Sequence, residues 1–177
     1  MEKNEITKVE MERWWIAKKS DLQIDLNQLK KLGIQQWYIS RQPIVRLRET
    51  THYAKNVNSI LHKEFILCFK SKAPNIGSLE TEINLIESDF KEMKKHATGN
   101  QIDKFRYIWE TIIMGEPYKV EIDDFVSGNT ILLEDEVKIE IEFNSEADFR
   151  QYRAPSWFGK EVTGDFKYSN SYLSSLK

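Results

Sequence analysis

The run VEMERWWIAK, Val9 to Lys18, decides how this chain folds. Read as a β-strand, it sets Glu10 and Glu12 on one side and Val9 and Met11 on the other, because successive strand side chains point to opposite faces. The same pattern returns along the chain as like-signed charges two residues apart. The pairs are Arg46 with Arg48, Glu80 with Glu82, Lys104 with Arg106, Glu121 with Asp123, and Glu140 with Glu142, while Lys70 stands alone on a face with Cys68. The residues between and beside them are mostly apolar, as in Val120 and Ile122 or Ile139, Ile141 and Phe143.

Clean alternation ordinarily means that one face of an antiparallel sheet is in water. A solvated face, however, mixes signs, since opposite charges across strands stabilise and like charges destabilise. Two like charges at i, i+2 on a strand lie about 7 Å apart and repel by about 2 kcal/mol at an effective dielectric constant of about 20. Six such pairs are accounted for if the charged faces converge on a closed interior around a ligand. The five cations Arg46, Arg48, Lys70, Lys104 and Arg106 would grip a polyanion, arginine as a planar fork and lysine as a point charge. The eight carboxylates are hard oxygen donors of the kind that favours Mg²⁺ or Mn²⁺. Their excess of three over the cations is what one or two divalent ions would offset, so the implied ligand is a metal-bound polyphosphate.

Composition sets the outer limits. At 177 residues the chain is long enough for one domain with its own core, expected to span 1–177. A net charge of −2 announces no duplex nucleic-acid footprint. The single cysteine, Cys68, excludes an intramolecular disulfide framework and fits a reducing, cytoplasmic setting. Packing is the expected role for Cys68, although the neighbouring Lys70 would act to lower its thiol pKa. No apolar run reaches the length of a membrane span, and MEKNEITK at the start has no signal core. His52, His62 and His96 are scattered and are expected to be surface residues rather than metal ligands.

Strands are expected at Ile6 to Ala17, Ile44 to Thr50, Glu64 to Lys72, Leu79 to Ile83, Lys104 to Ile113, Tyr118 to Val126, Thr130 to Leu133 and Glu136 to Phe143. Turn residues in MGEP, Met114 to Pro117, and SGN, Ser127 to Asn129, would join hairpins. Three short helices are expected: Ser20 to Gly33, where Leu22, Leu26 and Leu29 keep helical spacing; Ser88 to Gly99; and a third from Ser145 that cannot run far past Arg153 because Pro155 follows. The stretch from Arg48 to Glu64 reads as a long hairpin connection around KNVNS. The fold class is therefore α+β, built on a barrel or strongly curved antiparallel sheet with short flanking helices.

These elements resemble the CYTH superfamily, also called triphosphate tunnel metalloenzymes, which includes thiamine triphosphatases, inorganic triphosphatases and class IV adenylate cyclases. VEMER is similar to that family's opening E-x-E-x-K motif, Arg46-Leu47-Arg48 to its R-x-R strand, and FILCFK to its strand ending in lysine. LETEI, KFRY and VEIDDF follow in the family's order. Most specific is the end, where VKIEIEFNSEADFRQY and WFGKEVTGDFKYSN resemble an E-x-E strand, a short helix and a closing W-F-G-x-E-V-T pattern. The resemblance covers residues 5 to 173.

The resemblance implies an eight-stranded antiparallel tunnel and a metal-dependent hydrolase of a triphosphate-containing substrate, whether tripolyphosphate or a nucleoside or thiamine triphosphate. By it, Arg46, Arg48, Lys70, Lys104 and Arg106 would bind phosphate. Glu10, Glu12, Glu140 and Glu142 would hold a metal, and Glu80, Glu82, Glu121 and Asp123 would hold a second metal or orient the attacking water. A homodimer is common among tunnels of this kind.

One position departs from the family. Its lysine after the second glutamate falls on Trp14. An inward Trp14 would offer a stacking surface for a base, whereas a bulge would turn Trp14 and Trp15 outward into packing. With the lysine missing, two alternatives stay open beside the hydrolase: a nucleotide or polyphosphate binding module with little turnover, and a class IV-like adenylate cyclase. Trp157 and Phe158 are expected to be packing residues.

Overall fold

The computed structural model describes residues 5–54, 59–73, 76–126 and 130–176. Its framework is one antiparallel sheet formed by β1 (Glu5–Glu10), β2 (Glu12–Lys18), β3 (Lys30–Arg41), β4 (Ile44–Tyr53), β5 (Ile60–Lys72), β6 (Ser78–Asn84), β7 (Thr98–Ile113), β8 (Glu116–Phe125), β9 (Glu136–Glu142) and β10 (Lys160–Glu161). Its order is β1-β6-β5-β4-β3-β7-β8-β9-β2-β10. Ten strands stand where eight were expected, and the run from Ile6 to Ala17 is two of them. The ladder breaks at Met11: β1 pairs with β6 and β2 pairs with β9. One short segment thus supplies one edge strand of the sheet and the strand next to the opposite edge, and the amide of Phe143 donates to the carbonyl of Met11 at the break, 2.8 Å. The sheet is curled in consequence.

The expected helix over Ser20 to Gly33 is absent. Two 3₁₀ turns, Lys19–Asp21 and Leu26–Gln28, carry the chain to β3, the second capped by Asp25 accepting from the Asn27 amide. Leu22, Ile24, Leu26 and Leu29 all pack on the main core, so their spacing reflects a common surface rather than helical turns. Gly33, read as a helix stop, lies within β3, where a Cβ would come within 2.9 Å of the Tyr53 hydroxyl. A strand glycine here marks close side-chain approach.

Thr130 to Leu133 forms no strand. Leu132 instead fills a small cluster with Ile16 and Val162. The expected connection between Arg48 and Glu64 is largely ladder: β4 and β5 stay paired from Ile44 with Lys70 to Tyr53 with Ile60. Most of KNVNS and the SGN turn fall outside the described residues. At MGEP, Met114 and Gly115 both take positive φ, 53° and 88°, as a two-residue hairpin turn that follows strand twist requires.

The apolar residues of the alternating strands form the convex face and are covered from outside. Trp15, Val120, Ile122, Ile139, Ile141 and Phe143 are buried with Tyr152, Trp157 and Phe158 under α2 (Glu146–Gln151) and the turn at Ser156–Phe158. Ser145 caps α2 by accepting from the Asp148 amide, 3.0 Å. On the other flank α1 (Glu87–Lys94) drives Phe90 into Trp37, Leu47 and Leu67. A last turn, α3 (Asn170–Leu173), reaches the cavity mouth. No helix among the described residues is long and apolar enough to cross a membrane.

Phe90 is 1% exposed and touches Trp37 and Phe65 edge-on or tilted, with centroids 5.7 and 4.9 Å away. Phe90→Ala should cost about 3–5 kcal/mol of stability by chemical denaturation, and a loss below about 1 kcal/mol would mean that α1 does not anchor this flank.

Candidate active site

The concave face surrounds a cavity of about 380 Å³. Strand alternation turns Glu12 and Trp14 of β2 inward, opposite Glu142 and Glu140 of β9. From β4 come Arg46 and Arg48, facing Tyr38 and Gln36 of β3. Lys70 of β5 and Glu80 and Glu82 of β6 complete that wall, and Arg106 of β7 and Glu121 of β8 the other. The inverted alternation of the sequence is therefore explained by enclosure: charge faces in, and apolar residues face out beneath helices.

Opposite signs are resolved across strands. Arg46 donates to Glu80 (2.9 Å) and Arg48 to Glu82 (2.8 Å). Lys70 Nζ lies 3.0 Å from Glu10 and 3.2 Å from Glu80. Burial opposes the Lys70 charge, but Glu12, Glu80 and Glu10 outweigh it and hold its pKa above the usual lysine range. Arg48 is pulled the other way, first by burial and then by Arg46 and Arg106, so its surroundings favour added negative charge. Among the described residues, the buried Arg46 Nε has no hydrogen-bond partner.

Two expected site residues lie behind the lining. Lys104 and Asp123 are both fully buried and paired with each other, and Asp123 also receives Arg106 through Nε and Nη2 at 2.6 and 2.7 Å. Burial and the Arg106 charge push Lys104 down to about 8 against the pull of Asp123. The pair buttresses Arg106 instead of meeting the cavity.

Two lysines that do line it escaped the sequence reading. Lys138 is 2% exposed, lies 2.6 Å from Glu140, and sets its ammonium 3.9 Å above the Trp14 ring. Lys8 binds Glu10 at 2.9 Å and both Glu142 oxygens at 3.0 Å. Both were visible as a shared K-x-E-x-E run, Lys8 to Glu12 and Lys138 to Glu142. With them, among the described residues, seven carboxylates meet six cations around the cavity, not the excess of three expected from the strand pairs.

Trp14 stays inward and Trp15 turns outward, so the bulge that would expel both is absent. Trp14 Nε1 donates to Glu12 Oε2, 3.0 Å, and its ring borders the apolar cluster of Ile16, Leu132 and Val162. One ring face is taken by Lys138. Trp157 and Phe158 pack in the core as expected.

Glu10, Glu12, Glu140 and Glu142 offer hard carboxylate oxygens of the kind a divalent cation takes, and each is held by a cation in this structure: Glu10 by Lys8 and Lys70, Glu12 by Lys70, Glu142 by Lys8, and Glu140 by Lys138 and Arg106. Burial, together with the charges of Glu10 and Glu12, holds the Glu142 carboxyl above its usual range, a repulsion that a bound cation would relieve.

No family model matches the chain. It is 28% identical over 111 residues to an inorganic triphosphatase of Nitrosomonas europaea, covering 63% of this chain and 68% of that protein. It is 32% identical over 108 residues to an inorganic triphosphatase of Acetivibrio thermocellus, covering 60% of this chain and 63% of the relative. The matched stretch is thus less than two thirds of the second relative's length. The fold is shared with the crystal structure of an inorganic triphosphatase, at TM-score 0.58 and 24% identity over 93% of this chain and 97% of that one.

Cys68 is fully buried, and its thiol donates to Glu80 Oε1 at 2.8 Å. Burial, with Glu80 and Glu82, pushes its pKa up to about 12 against the opposing Arg46 charge, contrary to the lowering expected from Lys70. Since the thiolate is the nucleophile, the thiol should resist iodoacetamide at pH 8 in the native protein and react on unfolding. Rapid native alkylation, read by mass spectrometry, would show a thiolate in the cavity wall.

Proposed function

We propose that this chain is a triphosphate tunnel protein of the CYTH superfamily and a metal-dependent hydrolase of a triphosphate-containing substrate, a reading supported by its similarity to inorganic triphosphatases. The observation that carries the reading is the enclosure of Arg46, Arg48, Lys70 and Arg106 with seven carboxylates around one cavity. The guanidinium groups and Lys70 bind phosphate oxygens and stabilise the charge that spreads over them as the phosphoryl group transfers. Glu10, Glu12, Glu140 and Glu142 would hold Mg²⁺ or Mn²⁺, which would supply Lewis-acid stabilisation of phosphate charge. Glu80, Glu82 and Glu121 orient the attacking water, and Asp123 acts one layer back by fixing Arg106. Lys138 takes the place at the phosphates that the sequence reading gave to Lys104.

The test is incubation with tripolyphosphate, ATP, GTP and thiamine triphosphate in Mg²⁺ or Mn²⁺, with assays for phosphate, pyrophosphate and cyclic nucleotide. Phosphate release is expected, and Arg48→Ala should reduce kcat by about a hundredfold, as loss of one aligned donor does elsewhere. Pyrophosphate with a cyclic product would make the protein a cyclase, and binding without product a sequestering tunnel. Either result overturns the hydrolase reading.

Lys138→Met keeps much of the buried stem and removes the charge. It should lower kcat/KM for tripolyphosphate by about ten- to a hundredfold, the worth of one charge-assisted hydrogen bond, with Lys138→Arg retaining part of the activity. Unchanged kinetics in a folded Lys138→Met variant would remove Lys138 from the site.

A further inference from the structure

The three histidines were expected to be isolated surface residues, but the β4–β5 ladder pairs two of them. His52 stands directly opposite His62, and Thr50 opposite Glu64, so both imidazoles and the Glu64 carboxylate share one sheet face. The rings stack with centroids 4.1 Å apart and planes 13° from parallel. His52 Nε2 lies 3.1 Å from one Glu64 oxygen and His62 Nε2 3.5 Å from the other. One ligating atom from each of the three residues falls within 4.8 Å of the others.

Protons alone leave this cluster poorly satisfied. Two imidazolium rings stacked at that distance would repel. His52 Nε2 is buried and, among the described residues, makes no aligned hydrogen bond despite the nearby carboxylate. A cation shared by the two nitrogens and the carboxylate would satisfy all three groups.

We propose that His52, His62 and Glu64 form a transition-metal site, of the class that takes Zn²⁺, separate from the carboxylate cluster of the cavity. Two imidazole nitrogens and one carboxylate oxygen are a common zinc set that leaves a coordination position for water. Nitrogen donors of this kind prefer Zn²⁺, Cu²⁺ or Ni²⁺, whereas an all-carboxylate cluster prefers Mg²⁺ or Mn²⁺. The two sites therefore sort ions by donor softness. The lone pairs lie in the ring planes, so the near-parallel stack must open for both to converge on one ion in tetrahedral geometry, and His62, whose side chain is 56% exposed, has room to swing out. Because the three ligands come from both strands, the ion would clip the hairpin together.

The experiment is a titration of the tag-free full chain with ZnCl₂ in excess Mg²⁺, which occupies hard oxygen donors, followed by calorimetry and by imidazole NMR. The expected result is one zinc per chain, with the His52 and His62 resonances shifting while those of exposed His96 stay fixed. His62→Ala and the milder His62→Gln should each weaken that binding by about tenfold or more, corresponding to about 1.4 kcal/mol. Undiminished zinc affinity in both variants would overturn the proposal, as would binding that leaves both imidazoles unmoved. The readout involves no triphosphate, so the site stands or falls independently of the hydrolase reading.

Discussion

The structure is governed by the need to neutralise charge out of reach of bulk water. An unpaired ion in such a place costs several kcal/mol, and removing one partner of a buried pair leaves the other stranded. Arg106 shows how the sheet meets this demand. Its guanidinium reaches Glu121, Asp123 and Glu140 from a single strand position, while Lys104 and Lys138 close the outer ends of the same network. The opposite wall repeats the solution with Arg46, Arg48 and Lys70 set against Glu80, Glu82 and Glu10. Like charges can sit two apart along one strand only because another strand presents the opposite sign.

That arrangement inverts the ordinary relation between a sheet and its core. The concave side holds ions and a cavity, so the apolar side chains must be buried on the convex side. The helices, short as they are, have this covering role: α1 seals the Trp37 flank and α2 with the Trp157 turn seals the Trp15 flank. Trp14 and Trp15 illustrate the division within one dipeptide. Trp15 packs edge-on against Tyr152 and Phe158, while Trp14 borders the cavity beneath an ammonium.

Strict alternation was legible in the sequence because it depends on one residue and its neighbours two away. It set Glu10, Glu12, Arg46, Arg48, Lys70, Glu80, Glu82, Arg106, Glu121, Glu140 and Glu142 on shared strand faces, and the resemblance to a tunnel family turned those faces inward; all of these residues line the cavity. Depth along a strand was not legible in this way. Lys104 and Arg106 look alike as a K-x-R pair, yet only Arg106 reaches the cavity, because Asp123 holds Lys104 behind it. The helix expected over Ser20 to Gly33 rested on Leu22, Leu26 and Leu29, whose spacing fits a helix as well as a chain draped over a core; it took in the start of β3, and the rest of that strand, Ile34 to Arg41, was assigned to no element. The meeting of His52 and His62 depends on hairpin register, which the nine intervening residues do not disclose.

The break at Met11 carries a consequence for how the protein is made. The opening segment needs Ser78 as neighbour to Glu10 and Glu142 as neighbour to Glu12, so it leaves the ribosome long before its second docking edge exists. Partners so distant in sequence close late and slowly. During synthesis at about 5–20 residues per second, β1 meets its partner once β6 has emerged, whereas β2 waits as an unpaired edge, and the ring of charges is completed only when the ninth strand arrives to receive it.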